Sequence, residues 1–458
     1  MKLLGPILLA TLLATPFLGN AQPSRDHMVV LISVDGLASY FHDDPKAQLP
    51  TIRKLAAEGA RAERMRASTP TVTWPNHTTL VTGVTPGKHG VLNNSYWDRA
   101  KGASVPLIPD PFFNKEEIVK SPTIYDVAKA AGLKTAAIIW PASRGAKTLD
   151  WQVPDCFSNS LWEAHSTPSL LAEFRAAKIP YERQEEWCKA PGGGIPRDRM
   201  YAQMTAHVIT KHRPNVMLLH LVEVDHVNHQ KGPRSPESYE AVAFADGLVK
   251  EVLDAANAAF PGKHTFIVAS DHGFMPYQQQ IQANVLFKKE GLIKVEGTKV
   301  VERKAWALGQ FVYVLDQPRR AELVKSLAAK LRAVEGVESV VEEKDFAKIG
   351  LVTQDVDPRM PNLVINPKQG YSNSDTVAGE LLVTPKSENT KGAHGHDPAH
   401  PLMQASFVAW GAGIKKGAVV KDIRNLDVAP TMAHLLGLEM KNVEGRVLKE
   451  ILAPAGKR

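Results

Sequence analysis

Continuous apolar runs recur along the chain, separated by stretches with helical periodicity. Runs of this kind are typical of strands that are buried on both faces of a parallel sheet. They predict strands at 28–34, 134–140, 216–222, 264–270 and 405–410, and a further strand is predicted at 61–67, ahead of the stretch 69–83. The helical stretches predict helices at 51–58, 198–212, 237–259, 321–334 and 427–436. The alternation predicts an α/β fold around a large, mostly parallel sheet.

Two regions interrupt this pattern. Residues 141–200 are rich in turn formers and aromatic residues, and are interpreted as an irregular excursion over the sheet edge. The stretch 278–383 is less regular and is interpreted as a smaller subdomain inserted in the sheet. Ahead of both, Ser121 is predicted to cap a helix that has Pro122 at its first position and ends at Gly132.

Residues 1–21 have the pattern of a cleaved secretory signal peptide. Lys2 precedes an apolar stretch at 3–18, and small residues follow at 19–21. The short length and two prolines argue against a transmembrane anchor. The sequence therefore predicts a periplasmic or secreted protein with one catalytic domain at 22–458, in which Cys156 and Cys188 can pair.

The charge of the chain narrows the choice of partner. The net charge is +7, but the positive residues are scattered along the sequence. This distribution does not predict a nucleic-acid-binding stripe. It favours small anionic substrates by long-range attraction, and only weakly.

Three predicted strands are followed by an aspartate. Asp35 and Asp271 stand directly after their strands, and Asp225 follows a third strand closely. Open α/β sheets bind ligands beyond the carboxyl ends of their strands, although a single aspartate there is more often a turn or cap residue. One helical turn would place His229 on the face of Asp225. His272 follows Asp271 in the sequence.

The stretch 69–83 leads from a predicted strand into a predicted helix. Pro75 suits the first turn of a helix, and Gly83 suits the position that ends one. Thr73 then stands at the helix N-terminus, beside free N–H groups and the positive end of the helix dipole. A hydroxyl at this place can be an N-cap or a nucleophile whose alkoxide the helix stabilises.

The strand-end residues and the glycine-flanked His394 together form a possible two-metal ligand set. They are Asp35, Thr73, Asp225, His229, Asp271, His272 and His394. Oxygen and nitrogen ligands without thiolate suit Zn²⁺ best, with Mn²⁺ or Fe also possible. Paired metal ions are suited to in-line displacement at phosphorus.

The sequence around Thr73 resembles the nucleotide pyrophosphatase/phosphodiesterase family of the alkaline phosphatase superfamily. The resemblance rests on the stretch 73–77 and on further segments in the family's order. These are 34–36, 81–83, 89–90, 140–141, 225–233, 270–273 and 394–397. It covers nearly the whole mature chain and implies a three-layer α/β/α sandwich.

The resemblance also implies roles for these residues. One zinc site would use Asp35, Thr73, Asp271 and His272, and the other would use Asp225, His229 and His394. Thr73 would be the nucleophile, forming a covalent phospho-threonine intermediate. Asn94 matches the family asparagine that contacts a phosphoryl oxygen, with its neighbour Asn93 as the alternative.

The substrate-binding aromatic residues are predicted less sharply. Trp74 stands where family members that cleave nucleotides stack a base, and core packing is an equally weighted alternative for it. Phe157 or Trp162 would supply the second aromatic side chain. The candidate substrates are nucleotides, dinucleotides, sugar nucleotides and lysophospholipids.

Three other functions compete with a phosphodiesterase. A phosphomonoesterase of the same superfamily would grip the extra charge with a Lys-x-Arg pair, and here the comparable place has Ala142, Ser143 and Arg144. The lack of a Cys-x-Pro-x-Arg pattern near Thr73 argues against a sulfatase. A binding protein that has lost catalysis is disfavoured because every expected ligand residue is present.

Overall fold

The computed structural model describes residues 25–108 and 112–454. The predicted signal peptide at 1–21 lies outside the described residues. The strands, in chain order, are β1 Met28–Val34, β2 Ala60–Arg66, β3 Ser95–Asp98, β4 Ala103–Pro106, β5 Thr135–Trp140, β6 Trp151–Pro154, β7 Val216–Leu221, β8 His264–Ala269, β9 Met275–Ile281, β10 Ile293–Glu296, β11 Lys299–Arg303, β12 Ala305–Leu308, β13 Phe311–Val314, β14 Val337–Glu342, β15 Leu363–Pro367, β16 Gly370–Asn373, β17 Lys391–Ala393, β18 Phe407–Gly411 and β19 Ala418–Arg424.

The α-helices connect these strands and cover them. They are α1 Pro50–Glu58, α2 Thr73–Thr82, α3 Pro86–His89, α4 Lys115–Ile118, α5 Ile124–Ala130, α6 Asn159–His165, α7 Pro168–Ala176, α8 Gln184–Lys189, α9 Gly194–His212, α10 Glu223–Lys231, α11 Pro236–Ala259, α12 Ala283–Lys289, α13 Arg320–Arg332 and α14 Val428–Leu435. Within the described ranges, none of them has the length and apolar character that crossing a membrane requires.

Eight strands form the central sheet, in the order β19-β2-β18-β8-β1-β7-β5-β6. Strand β18 runs antiparallel to its neighbours β2 and β8. The other neighbouring pairs in the sheet are parallel. The predicted large, mostly parallel sheet is therefore confirmed.

Alternate residues of β1 show why helices cover both faces of this sheet. Val30 and Ile32 pack into one apolar cluster with residues of α9 and α11. Val29 and Leu31 pack into a second cluster with residues of α2, α5 and α14. Because successive side chains of a strand point to opposite faces, the sheet lies between two helical layers. The predicted three-layer α/β/α sandwich is confirmed.

The predicted strands agree with the observed ones to within one or two residues, and two other predictions need correction. The helix predicted to start after Ser121 is α5, and its cap is Thr123, whose hydroxyl accepts a hydrogen bond from Asp126 N–H. Asp126 in turn accepts from Thr123 N–H, and this reciprocal pair fixes the start of the helix. The segment 141–200 is also less irregular than predicted. It contains the edge strand β6, three short helices and the start of α9.

The region between β9 and β17 has an apolar core of its own. Strands β12, β13, β15 and β14 form a four-stranded sheet in that order, with antiparallel pairing throughout. Residues of α12 and α13 pack with this sheet in a cluster separate from the two central ones. This separate core supports an inserted subdomain, whose boundaries at 278–383 stay a prediction.

Candidate metal centre and nucleophile

Three neighbouring central strands deliver the predicted aspartates to one edge of the sheet. Strand β1 pairs with β8 on one side and β7 on the other. Asp35 follows β1, Asp271 lies two residues beyond β8, and Asp225 lies in α10 just after β7. The carboxyl ends of parallel strands share an edge, so these residues meet where open α/β sheets place their sites.

The first group of possible ligands is deeply buried. His272 Nε2 lies 3.1 Å from Asp271 Oδ2 and 3.5 Å from Asp35 Oδ1. Asp271 and His272 are fully buried, and Asp35 is nearly so. Three ligand-type atoms therefore converge at the ends of β1 and β8.

The second group lies beside the first and is more open. Asp225 Oδ1 is 3.5 Å from His229 Nε2 and 3.6 Å from His394 Nε2, and the two Nε2 atoms are 3.1 Å apart. Ligands bound about 2.0–2.1 Å from a tetrahedral ion lie roughly 3.3 Å from one another. The side chain of His229 is 43% exposed, so solvent reaches this group.

The hydrogen bonds around these groups leave one set of atoms without partners. Four buried atoms of these two groups have no hydrogen-bond partner among the described residues: Asp35 Oδ1, Asp225 Oδ1, Asp271 Oδ2 and His272 Nε2. These are the atoms that converge within the two groups. Buried polar atoms almost always have a hydrogen-bond partner. The lack of partners at these four converging atoms is what a site for bound cations would show.

The opposite atoms of the histidines are held by the backbone. Nδ1 of His229 lies 3.1 Å from Gly392 O, Nδ1 of His272 lies 3.1 Å from Gly273 O, and Nδ1 of His394 lies 2.9 Å from Thr71 O. Each ring can donate its Nδ1 hydrogen to a carbonyl and present a bare Nε2. This is the usual arrangement of metal-binding histidines.

Burial and mutual repulsion shape the charges of the site. Burial raises the pKa of Asp35 and the pKa of Asp271 well above the usual range. Repulsion from Asp225 raises the pKa of Asp35 further, and repulsion from Asp35 raises that of Asp271 further. Burial also raises the pKa of Asp225. The pKa of His272 is lowered well below its usual range by burial and then by His229. The histidine is therefore neutral, as a ligand must be, and the carboxylates need a positive charge between them.

Thr73 is the first residue of α2, as predicted. The N-cap residue is Val72, so Thr73 is not the cap, and the helix ends at Gly83, whose φ is 69°. The carbonyl oxygen of Thr73 lies 2.9 Å from His77 Nδ1, one turn along the helix. Thr73, Asp35 and Asp225 line one cavity of about 150 Å³. The structure thus brings the predicted nucleophile together with both groups of ligands.

The residues predicted to contact substrate take different places. Asn94 Oδ1 accepts a hydrogen bond of 2.9 Å from Trp74 N–H, which leaves its Nδ2 as the donor end beside the start of α2. Asn93 lines another cavity together with His229 and His394. Trp74 is 1% exposed and packs in an apolar cluster, although it also borders the cavity of Thr73.

Of the two candidates for the second aromatic side chain, only one borders that cavity. Phe157 lines it, with its ring 5.8 Å from the Arg197 guanidinium carbon. Trp162 instead packs in the core against Tyr201. Of these two aromatic residues, Phe157 is therefore the one that borders the cavity of Thr73.

Sequence reasoning missed two residues next to the site. His220 Nε2 lies 2.9 Å from Asp35 Oδ2, so it can orient that carboxylate. Arg197 lines the cavity of Thr73, and its Nη1 lies 3.2 Å from Cys188 Sγ. A histidine inside the apolar run of β7 was a usable signal, whereas Arg197 lies in the segment interpreted as irregular. The pairing of Cys156 with Cys188 stays a prediction.

Thr71 was also missed, and it connects the two halves of the site. Its hydroxyl donates to His396 O at 2.9 Å and accepts from the N–H groups of Gly395 and His396, both at 3.0 Å. Its carbonyl accepts from Gly395 N–H at 2.9 Å and is also the partner of His394 Nδ1. The segment before Thr73 therefore holds the His394 loop directly.

The chain belongs to the type I phosphodiesterase/nucleotide pyrophosphatase family, whose model matches residues 29–397. It is 25% identical to human ectonucleotide pyrophosphatase/phosphodiesterase family member 1 over 437 residues, covering 89% of this chain and 40% of that protein. It is 26% identical over 422 residues to the venom phosphodiesterase of Macrovipera lebetinus, covering 90% of this chain and 43% of that protein. The chain thus spans less than half the length of these two relatives.

A solved structure shares the fold. Murine ectonucleotide pyrophosphatase/phosphodiesterase 5, an inactive variant in complex with AMP, superposes with a TM-score of 0.67 at 20% identity. The match covers 93% of this chain and all of the murine chain. The predicted family and fold are therefore confirmed.

Proposed function

We propose that this chain is an exported, metal-dependent phosphodiesterase/nucleotide pyrophosphatase that uses Thr73 as its nucleophile. The observation that carries the proposal is the cavity that Thr73 shares with Asp35 and Asp225, at a helix N-terminus and beside both groups of converging ligand atoms. The ectoenzyme and venom relatives support an exported location. The AMP bound by the murine protein supports a nucleotide-type substrate.

The donor set fits two Zn²⁺ ions. Asp35, Asp271 and His272, with Thr73, would hold one ion, and Asp225, His229 and His394 would hold the other. Carboxylate oxygen and imidazole nitrogen are ligands that zinc takes readily, and Mn²⁺ or Fe would accept them too. Bound ions would lower the pKa of the nucleophile and offset negative charge on the phosphoryl group.

The residues of the chain then perform a displacement in two steps. Thr73 Oγ attacks phosphorus, and its new bond forms as the bond to the leaving alcohol or nucleotide breaks. Water next cleaves the phospho-threonine, which releases a phosphomonoester and restores the hydroxyl. Asn94 Nδ2 would donate to a non-bridging oxygen, a place where fixed donors stabilise the transition state.

The test is the Thr73→Ala variant with bis-p-nitrophenyl phosphate as substrate. We expect turnover to collapse while bound zinc, measured by mass spectrometry, falls only in part. Acid quenching of the native enzyme during turnover should trap a p-nitrophenyl phosphoryl group on the peptide that contains Thr73. Thr82→Ala is the matched control, because Thr82 lies in the same helix and bonds only to Thr78 O, at 2.8 Å, among the described residues. Full activity of the Thr73→Ala variant would exclude Thr73 as nucleophile.

Arg197 favours a second candidate, a phosphomonoesterase. A guanidinium in the cavity of Thr73 can bind the additional negative charge of a monoester. Arg144, which sequence comparison offered for this task, instead donates to Asn114 Oδ1 at 3.1 Å and to Phe112 O at 3.2 Å. If the enzyme is a diesterase, bis-p-nitrophenyl phosphate is turned over faster than p-nitrophenyl phosphate. A preference for the monoester that disappears in Arg197→Ala would establish the second candidate instead.

A further inference from the structure

A second cavity, of about 260 Å³, borders the second ligand group. Asp225 borders the cavity of Thr73, whereas its partners His229 and His394 border this second cavity. In an in-line displacement the attacking and leaving oxygens lie on opposite sides of phosphorus. A substrate whose transferred group occupies the cavity of Thr73 therefore has the second cavity available for its leaving group.

The far wall of this cavity comes from β9 and from the region between β9 and β17, and it is built from amide and hydroxyl side chains. Gln280, Gln310, Ser372 and Asn373 contribute to it. Among the described residues, the lining contains no lysine, arginine, aspartate or glutamate. A leaving group with a full charge, such as pyrophosphate or an ammonium group, would find no fixed countercharge on this wall.

Two amide oxygens in this wall are buried and have no hydrogen-bond partner among the described residues: Gln310 Oε1 and Asn373 Oδ1. Gln310 is only 4% exposed. A Cβ added to Gly395, next to His394, would lie 3.7 Å from Gln310 Oε1. The orphan acceptor thus lies close to a ligand of the metal site.

Hydrogen bonds behind the wall engage the donor end of each amide. Gln310 Nε2 donates to Asn366 Oδ1 at 2.9 Å, and Asn366 Nδ2 donates to Ser339 Oγ at 3.0 Å. Asn373 Nδ2 donates to Ile365 O at 3.3 Å, a carbonyl that can only accept. The donor ends are therefore engaged, and the oxygens are left for a ligand that carries hydrogen-bond donors.

We infer that the second cavity is a leaving-group subsite for a neutral, hydroxyl-bearing alcohol of the sugar or glycerol type. Hydroxyl groups would donate to Gln310 Oε1 and Asn373 Oδ1, and a neutral polyol needs no countercharge. The inference rests on the proposed function, because the alcohol in this subsite is the one that leaves when Thr73 attacks a phosphodiester. In this inference, the region between β9 and β17, which supplies Gln310 and Asn373, selects the leaving group.

The test compares two diesters that share AMP and differ only in the leaving alcohol: the glyceryl and the propyl ester of AMP. AMP release gives kcat/KM for each. We expect the native enzyme to prefer the glyceryl ester by about tenfold, the scale of one or two neutral hydrogen bonds. In Gln310→Leu and in Asn373→Leu this ratio should fall towards one. A ratio is insensitive to partial misfolding, which lowers both rates alike.

Gln317→Leu is the matched control, since Gln317 is an exposed glutamine of the same region, and its ratio should equal that of the native enzyme. Equal rates for the two esters in the native enzyme, or a preference that survives in both variants, would overturn the inference while leaving the phosphodiesterase intact. If neither ester nor bis-p-nitrophenyl phosphate is hydrolysed, the proposed function fails and the inference fails with it.

Discussion

Asn76 holds the segment that precedes the nucleophile, and replacing it with alanine should be severely destabilising. The side chain is fully buried in the first turn of α2. Its Oδ1 accepts from Ser68 N–H at 2.7 Å and from Asn425 Nδ2 at 2.8 Å. Its Nδ2 donates to the carbonyls of Pro70 and Val72, both at 2.8 Å. One amide therefore joins both ends of the stretch 68–72 to the helix.

The cost of Asn76→Ala follows from the partners it leaves behind. The two carbonyls keep other donors, since Pro70 O accepts from Val72 N–H and Val72 O accepts from the N–H of residue 76. Ser68 N–H and the Asn425 amide instead lose their partner in a buried place. Each orphaned buried donor costs about 1–3 kcal/mol, so we expect a loss of about 2–6 kcal/mol in the free energy of unfolding.

Urea unfolding followed by circular dichroism measures this loss. The matched control is Thr82→Val, which removes one hydrogen bond at the far end of the same helix and should cost about 1 kcal/mol. Turnover of bis-p-nitrophenyl phosphate by folded Asn76→Ala should also fall, because the segment 68–72, which leads to Thr73, is no longer held by the side chain of residue 76. If Asn76→Ala and Thr82→Val unfold at the same urea concentration, the role given to the Asn76 network is refuted.

Three further predictions concern the site and its surroundings. His220→Leu removes the partner of Asp35 and should lower turnover and bound metal by about tenfold. His220→Gln keeps a hydrogen-bond donor and should restore part of both. Equal loss in the two variants would contradict this role of His220. Burial lowers the pKa of His42 to about 4, so below the unfolded value of about 6.5 the unfolded state binds the proton more readily, and stability falls as the pH falls. His42→Phe should therefore lose about 2 kcal/mol less than the native chain between pH 7 and pH 5 in urea titrations, and equal losses in the two proteins would contradict this role of His42. A chelator should remove one metal equivalent quickly and the other slowly, because His229 is exposed and the other ligand group is buried; loss in a single phase would contradict the difference in access.

Much of the central fold could be predicted because burial on both faces leaves a strong pattern. Five of the six predicted strands are mainly apolar runs, and the structure places all six within one or two residues. The exception is β2, in which four of the seven residues are charged. The strand β6 was missed, because it is only four residues long and contains the polar Gln152. The cap of α5 was misplaced because serine, proline and threonine occur in succession, and the reciprocal bonds with Asp126 decide in favour of Thr123.

The candidate ligand residues of the site could be predicted from the sequence, but the residues that hold them in position could not. A ligand residue has a local signal, such as Asp35 at the end of a strand or His394 between glycines. A residue that holds part of the site in position has no such signal, because its partner is distant in the sequence: Asn425 lies 349 residues from Asn76. Arg197 became part of the site only through the packing of α9 against the sheet, which no local pattern encodes.

The topology separates the parts of the site that perform chemistry from the parts that select a substrate. Strand β17, which leads directly to His394, pairs antiparallel with β9, so that Ala393 lies opposite Met275. The intervening region therefore begins after β9 and ends before β17, at two neighbouring places in the structure. Thr71 fixes the His394 loop from the other side. Both of these attachments lie outside the intervening region, which touches the loop at Tyr371 O, 2.8 Å from His396 Nε2. That region supplies Gln310 and Asn373 to the second cavity. Substitutions there should change which leaving group is accepted and leave the ligand geometry in place.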